Sequence, residues 1–294
     1  MTVLERRYRR LLLAYPREYR SAHGDELLDL LLDTAEPGSS LPSLKEAAGL
    51  LAGGVRTRVT RGGREPAWVE GMHLGVTALT IANLAVLVPY ARLLPLWVAL
   101  SALAVIAVLR GWVRPALPLV LITGVKAGAL ATATPLLDHT LLPVFPDFLV
   151  TSALYSTGGL FSAVVGHALA FTGLLALAAR GRPGRPRSWC WLLAVPLVAA
   201  ADPEWMGYTE GAALPLTRIL VEGALLGTAV WAGHLARDLR WALASAIYLL
   251  AASVPFAENL SELSVQDEAY WALLAFLTLF AAIVPYGRRR HALH

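Results

Sequence analysis

Three ionisable side chains stand inside long apolar stretches of this 294-residue sequence: Lys126 in the run 115–136, His167 in 149–179 and Glu222 in 213–235. A charge near the middle of a bilayer is costly unless it is paired or hydrated. Each of the three therefore marks either a structural ion pair or a path for protons, ions or polar solutes. At about 1.5 Å of rise per residue, Lys126 lies about 16 Å, His167 about 18 Å and Glu222 about 20 Å from the same membrane edge, so the three can meet at one depth. Gly124 and Gly128 bracket Lys126, Gly223 and Gly227 follow Glu222, and Ser162, Gly166 and Ala170 lie beside His167. Small residues at these spacings let helices approach closely. The expected cluster is Lys126, His167, Glu222 and Arg218. Local alternatives stand beside it: Glu222 pairs with Arg218 one turn away on its own helix, Lys126 snorkels or bonds backbone carbonyls, and His167 is a neutral, hydrogen-bonded interior side chain.

Other chemistry has weaker support. Ser152, Ser156 and Ser162 near His167 suggest a serine nucleophile, but hydroxyls in membrane helices commonly bond backbone carbonyls, and a nucleophile needs a positioned base. Asp138-His139, with Asp147 beyond, offers cation ligands or a solvated loop. There is no HExxH, GxSxG or P-loop motif and no pair of intramembrane aspartates. No catalytic residue, cofactor or metal is expected. Cys190 is the single cysteine, which excludes an intramolecular disulfide and any multi-cysteine metal site.

The elements that must hold these residues are membrane helices. With 56% hydrophobic and 16% charged residues, the chain is too apolar for an ordinary soluble domain. Eight apolar segments are legible: 72–88, 94–109, 115–136, 149–179, 189–201, 213–235, 241–256 and 270–286. The fifth is short and contains Pro196, so it would be a thin or distorted span. Connectors alternate in charge. Arg110 and Arg114, then Arg180, Arg182, Arg185 and Arg187, then Arg237 and Arg240, then Arg288 to Arg290 fall on one side; Arg92 and the acidic groups Asp202, Glu204, Glu210 and Glu258, Glu262, Asp267, Glu268 fall on the other. Arginine-dense connectors stay cytoplasmic, which predicts eight spans with both termini inside. Trp68, Trp97, Trp112, Trp189, Trp191, Trp205, Trp241 and Trp271 lie near span ends and read as interfacial anchors, with Trp231 alone inside a span. The net charge of +4 is sufficiently explained by anionic lipid headgroups, and no nucleic-acid partner is expected. Arginine outnumbers lysine so heavily, in so Ala-, Leu- and Gly-rich a chain, that a GC-rich bacterial genome and the bacterial cytoplasmic membrane are expected. The charged start Glu5 to Arg10, with only Leu11 to Ala14 following, does not make a signal-peptide core, so the first long apolar segment would be an uncleaved anchor.

Residues 1–66 precede the spans and read as a cytoplasmic three-helix head. Thr2 caps the first helix, Tyr15-Pro16 ends it, and Pro37-Gly38 stops the second. Ser43-Leu44-Lys45-Glu46 fits a capping box for the third, which carries Leu44, Ala47, Leu50, Leu51 and Val55 on one side as its expected core face. Arg61 to Arg64 reads as the hinge into the membrane part, residues 67–294.

The run Tyr8 to Arg20, with Leu-Leu-Leu-Ala-Tyr-Pro-Arg-Glu-Tyr-Arg at its end and Gly24-Asp25-Glu26-Leu27-Leu28 following, resembles the short helical prefix of some bacterial permease domains. It is also similar to the cytoplasmic head of uncharacterised actinobacterial multi-pass membrane proteins, including those encoded beside PadR-type transcription regulators. The permease relatives have four spans and a large periplasmic domain, which this chain does not show. The resemblance covers about a fifth of the sequence and implies a docking or regulatory prefix, with Tyr15, Pro16, Arg17, Tyr19, Arg20, Gly24 and Glu26 as the candidate contact surface for a cytoplasmic protein. Tyr15, Pro16, Tyr19 and Gly24 read first as a packing signature between two helices and only then as a partner surface. The expectation is an all-α, polytopic, non-enzymatic membrane protein whose head docks a partner. A small-molecule or ion transporter using Lys126, His167 and Glu222 is the alternative, and an intramembrane enzyme the third.

Overall fold

The computed structural model describes residues 2–35, 40–60, 66–144, 154, 159–181, 184–201, 216–261 and 263–286. Among these residues every regular element is helical. The chain divides into two compact units, one of 1–66 with 235–237 and one of 67–234 with 238–294.

In the first unit, α1 (Val3–Leu11) begins at a reciprocal cap in which the Thr2 hydroxyl accepts from the Glu5 amide and the Glu5 carboxylate accepts from the Thr2 N–H. A 3-10 turn over Leu12–Ala14 leads to Tyr15, whose extended backbone is what a following proline imposes. α2 (Arg17–Thr34) follows. α3 (Leu44–Thr60) opens on the Ser43–Glu46 capping box. Leu4, Tyr8, Leu12, Tyr15, Leu28 and Leu50 form the shared core. Arg58 closes the joint by donating to the Ala14 carbonyl at 2.5 Å and the Leu13 carbonyl at 2.8 Å, two acceptors that the end of a helix leaves open.

The core face of α3 is only partly the one its apolar spacing predicts: Leu50 is buried and Ala47 half-buried as expected, but the other three lie outside. Leu50 and Gly54 are buried, whereas Leu44, Leu51 and Val55 are exposed. Backbone approach decides this: a Cβ on Gly54 would lie 2.7 Å from the Ala14 Cβ, so only the glycine side of α3 can close on the Leu12–Ala14 turn. That side lies roughly 100–120° round the helix from the leucine stripe.

The buried Tyr8 hydroxyl donates to Glu46 at 2.8 Å. Burial, and then the Glu46 carboxylate, raise the tyrosine to about 12, while the bond from Tyr8 and those from Ser43 lower Glu46. Glu46 thus contributes stability that is present above the ordinary carboxylate range and is lost as pH falls through its lowered folded value. Tyr8 contributes stability that is full below the ordinary tyrosine range and is lost as pH rises through about 12. Tyr8→Phe is expected to flatten both limbs in thermal unfolding of the full chain followed by circular dichroism across pH.

The second unit contains α4 (Ala67–Leu87), α5 (Pro95–Leu109), α6 (Val113–Ala131), α7 (Leu160–Ala178), α8 (Ala194–Ala201), α9 (Leu216–Ala236), α10 (Arg240–Glu258) and α11 (Val265–Ile283). Among the described residues five helical stretches are long and apolar enough to cross a membrane: 67–90, 113–131, 160–178, 216–236 and 240–258. α5 and the segment 189–201 are apolar but shorter. The latter breaks into a 3-10 turn over Trp189–Leu193 before α8. Pro196 then falls in the first turn of α8, where its missing N–H leaves no bond unmade.

α4 is the central element and packs against α5, α7, α8 and α10. Val76 and Leu79 of α4, Val108 of α5, Val120 of α6, Leu174 of α7 and Ile247 of α10 meet in the main core. Its seam with α10 is close, where a Cβ on Gly71 would lie 2.7 Å from the Arg240 carbonyl oxygen and one on Gly75 2.7 Å from Ile247 Cδ1. Trp97, one of the expected interfacial anchors, is instead fully buried in a second apolar cluster with Leu87, Leu94 and Leu142. Trp231, the one placed inside a span, is half-exposed on α9.

Candidate functional site

Lys126 of α6 is completely buried. Its Nζ donates to the Asp138 carboxylate and, at 2.7 Å, to the Leu136 carbonyl. The chain after α6 turns back through left-handed backbone at Ala133 and Leu137, which carries Asp138 onto the lysine. Asp138, expected in a solvated loop or as a cation ligand, is therefore the counter-ion that lets Lys126 stay buried.

Glu222 has other partners. Its Oε1 accepts from Arg218 Nε at 3.0 Å, one turn earlier on α9, and its Oε2 accepts from the Tyr270 hydroxyl of α11. The local pair foreseen from Arg218 spacing is thus present, and Tyr270 extends it to a second helix. No sequence pattern singled this tyrosine out, since its proximity is purely tertiary.

His167 of α7 is buried against α6, with its Cβ 2.7 Å from where a Gly124 Cβ would be. Its ring faces the Ala163 carbonyl one turn earlier, outside hydrogen-bond geometry. Gly128 makes the same seam further along, 3.1 Å from Val164 Cγ2 measured from its would-be Cβ. The Gly124–Gly128 spacing therefore serves the α6–α7 contact. Gly223 and Gly227 have nothing within 4 Å of a would-be Cβ. The expected convergence of Lys126, His167 and Glu222 divides accordingly: Lys126 and His167 lie on adjoining helices, and Lys126 and Glu222 each hold a partner other than one another.

A second polar group was hidden among residues read only as topological charges. α5 ends in a Schellman turn, in which Gly111 adopts φ +73° and the Trp112 amide donates to the Ala107 carbonyl at 2.8 Å. The chain at 184–187 ties onto this corner, with the Gly184 amide donating to the Gly111 carbonyl at 3.0 Å and the Arg187 amide to that of Leu109 at 2.7 Å. Arg187 is thereby held over the start of α4. Its Nε donates to His73 Nδ1 at 3.2 Å, one terminal nitrogen donates to the Glu70 carbonyl at 3.1 Å, and that nitrogen lies 3.6 Å from the Glu70 carboxylate. His73 Nε2 faces the Val108 carbonyl at 2.9 Å. A carbonyl only accepts, so the proton is on Nε2 and Nδ1 is free to accept from arginine. Burial pushes Arg187 down to about 10 against the opposing pull of Glu70, with Arg240 and Arg185 adding to the downward push. Arg240 is itself buried, its Nε 3.0 Å from Asp238. The one sequence signal for this group is Glu70 and His73 three residues apart at the start of a long apolar run, which places them on one helix face.

The expected outer acidic groups also have structural work. Glu258, at the end of α10, accepts from the Phe161 and Ser162 amides at 3.0 and 2.9 Å and from the Ser162 hydroxyl. It caps α7, whose own N-cap residue, Gly159, has no side chain to do so. Asp267 forms a capping box with Ser264 at the start of α11. Asp202, Glu204, Glu210, Glu262, Asp147, Ser152, Ser156, Arg182 and Arg288 to Arg290 lie outside the described residues. Glu258→Ala is expected to cost about 1 kcal/mol, by analogy with loss of an N-cap, and to speed hydrogen exchange in the first turn of α7. Glu258→Gln, which still accepts, should retain much of the protection.

Of the proposed contact residues in the first unit, Tyr15 is buried and stacks on Tyr19 at 5.0 Å between ring centroids. Pro16, Tyr19, Arg20 and Gly24 are half-buried, and Arg17 and Glu26 are exposed. Gly24 meets only the Arg20 Cβ, at an ordinary 3.7 Å. Tyr15 and Tyr19 thus help hold the unit together, while Arg17 and Glu26 stand exposed on α2.

No family model, curated protein or solved structure matches the chain. Among the described residues no group of three His, Cys, Asp or Glu side chains is placed to hold a metal ion.

Proposed function

We propose that the chain is an eight-span protein of a bacterial cytoplasmic membrane with both termini cytoplasmic, in which residues 1–66 form a docking or regulatory head for a cytoplasmic protein. The α4-centred bundle serves as its anchor. The observation that carries this reading is the pairing in place of charges that are buried or partly buried: Lys126 with Asp138, Glu222 with Arg218 and Tyr270, Arg187 with Glu70 and His73. Charges neutralised where they stand rigidify a bundle, whereas a transport path needs groups that exchange partners. The resemblance of Tyr8 to Leu28 to permease prefixes supports the docking role. The second and fifth segments, the two shorter apolar ones, are kept as spans by the arginine alternation.

The test is affinity purification from native membranes of the full-length protein, its Arg17→Ala/Glu26→Ala variant, and a chain lacking residues 1–66. A protein retained by the first and lost from both others supports the docking role. Equal retention by all three, or no retained protein, overturns it.

The Glu222 group favours a second reading, a small-molecule or ion transporter. A carboxylate shared by Arg218 and Tyr270 across two helices is, among the described residues, an arrangement suited to passing a proton. Loss of a proton-coupled flux in reconstituted vesicles on Glu222→Gln, with folding retained, would establish it.

A further inference from the structure

Leu44, Leu51 and Val55 form one exposed stripe along α3, with Leu44 90% exposed and the other two nearly half exposed. Ala48, also exposed, continues the line. These positions recur at intervals of four, three and four residues, so they share a single face. It is apolar throughout. Lys45 and Arg56 stand together along one edge, both exposed, and Arg61 and Arg64 follow in sequence. The only acid on α3 is Glu46, which the Tyr8 hydroxyl and the Ser43 amide hold on another side.

We infer that this face of α3 lies in the membrane interface, its leucines and valine among the upper acyl chains and Lys45 and Arg56 at anionic headgroups. The inference rests on the membrane reading and adds a second lipid contact to it. Three observations favour lipid as the occupant. An apolar face with basic residues along its edge is the pattern of helices that lie in a bilayer surface. The face holds no aromatic anchor of the kind that dominates protein interfaces. Chain length also limits the distance: residues 61–66 link α3 to the first long apolar helix, and at most about 3.6 Å per residue keeps Thr60 within about 25 Å of Ala67. Docked this way, α3 would leave Arg17 and Glu26 of α2 to a protein partner.

The test uses the full chain with Cys190→Ser and one introduced cysteine, carrying an environment-sensitive fluorophore, in vesicles of phosphatidylcholine with phosphatidylglycerol. Labels go at Ala48 or Leu51 on the stripe, at Asp29 on α2 as a water-facing control, and at Val86 on α4 as a bilayer control. The expected result is several-fold stronger quenching of the stripe labels than of Asp29 by a nitroxide on the lipid acyl chain, weakened when phosphatidylglycerol is omitted. A stripe label quenched no more than Asp29 overturns the proposal. If it is also shielded from an aqueous quencher, protein covers the face, either a second copy or a partner. An unquenched Val86 label would overturn the membrane reading itself. Labelling two stripe positions separately guards against one variant that fails to fold.

Discussion

Asp138→Ala is expected to be among the most damaging single substitutions in the chain. It leaves the Lys126 ammonium fully buried with only the Leu136 carbonyl as acceptor. Removing one member of a buried pair strands the other charge, which costs about 3–5 kcal/mol. The effect should be asymmetric. Asp138 retains some exposure, 14% of its side chain against none for Lys126, so Lys126→Met strands a group that water can reach and should cost less. The double variant Lys126→Met/Asp138→Ala removes both charges and should recover most of the loss, since apolar replacement of a buried pair is often neutral or stabilising. Denaturant unfolding of the four proteins in one detergent measures the coupling directly. Additive single effects would mean that the pair does not act as a unit.

The second large effect is expected at Gly71. A Cβ there would lie 2.7 Å from the Arg240 carbonyl oxygen, 2.9 Å from the Leu243 Cβ and 3.1 Å from the Arg240 Cα. Two of these three atoms are backbone, so no rotamer change relieves the contact and α4 must move away from α10. Gly71→Leu is expected to destabilise by at least the roughly 1–3 kcal/mol typical of overpacking. It should also disturb the nearby Arg187 contacts to Glu70 and His73. Gly223→Leu and Gly227→Leu, in a motif of identical spacing, should stay within about 0.5 kcal/mol of the parent, because nothing lies within 4 Å of either site. Thermal unfolding monitored by tryptophan fluorescence distinguishes the two motifs.

That contrast shows why the candidate site was only partly legible. Lys126, His167 and Glu222 stood out because a charge or imidazole in an apolar run is conspicuous; Lys126 and Glu222 hold counter-ions, whereas His167 is buried without the hydrogen bond expected of it. Their partners were less visible. Arg218 was legible because a helix fixes which residue lies one turn away, whereas Asp138 reaches Lys126 only through a reversal of the chain after α6. Glu70, His73 and Arg187 were missed because more than a hundred residues separate Arg187 from the other two, and nothing local distinguishes an arginine bound over a helix start from one left in solvent. The α3 leucines misled for a related reason. Periodicity says which residues share a face, but the close approach of Gly54 to Ala14 decides which face is inside.

The sequence by itself determined the helical class, the positions of the apolar segments, the caps at Thr2, Ser43 and the Tyr15-Pro16 break, and the pairing of Glu222 with Arg218. Hydropathy, capping and one-turn neighbours are properties of contiguous residues, so they can be read along the chain. Only the tertiary structure decided that Lys126 belongs to Asp138, that Glu258 caps α7, that Arg187 binds the start of α4, and that Gly71 and Gly75 rather than Gly223 and Gly227 carry a helix seam. In each case the determining quantity is a distance between segments far apart in sequence. Packing of whole helices sets that distance, and local pattern does not encode it.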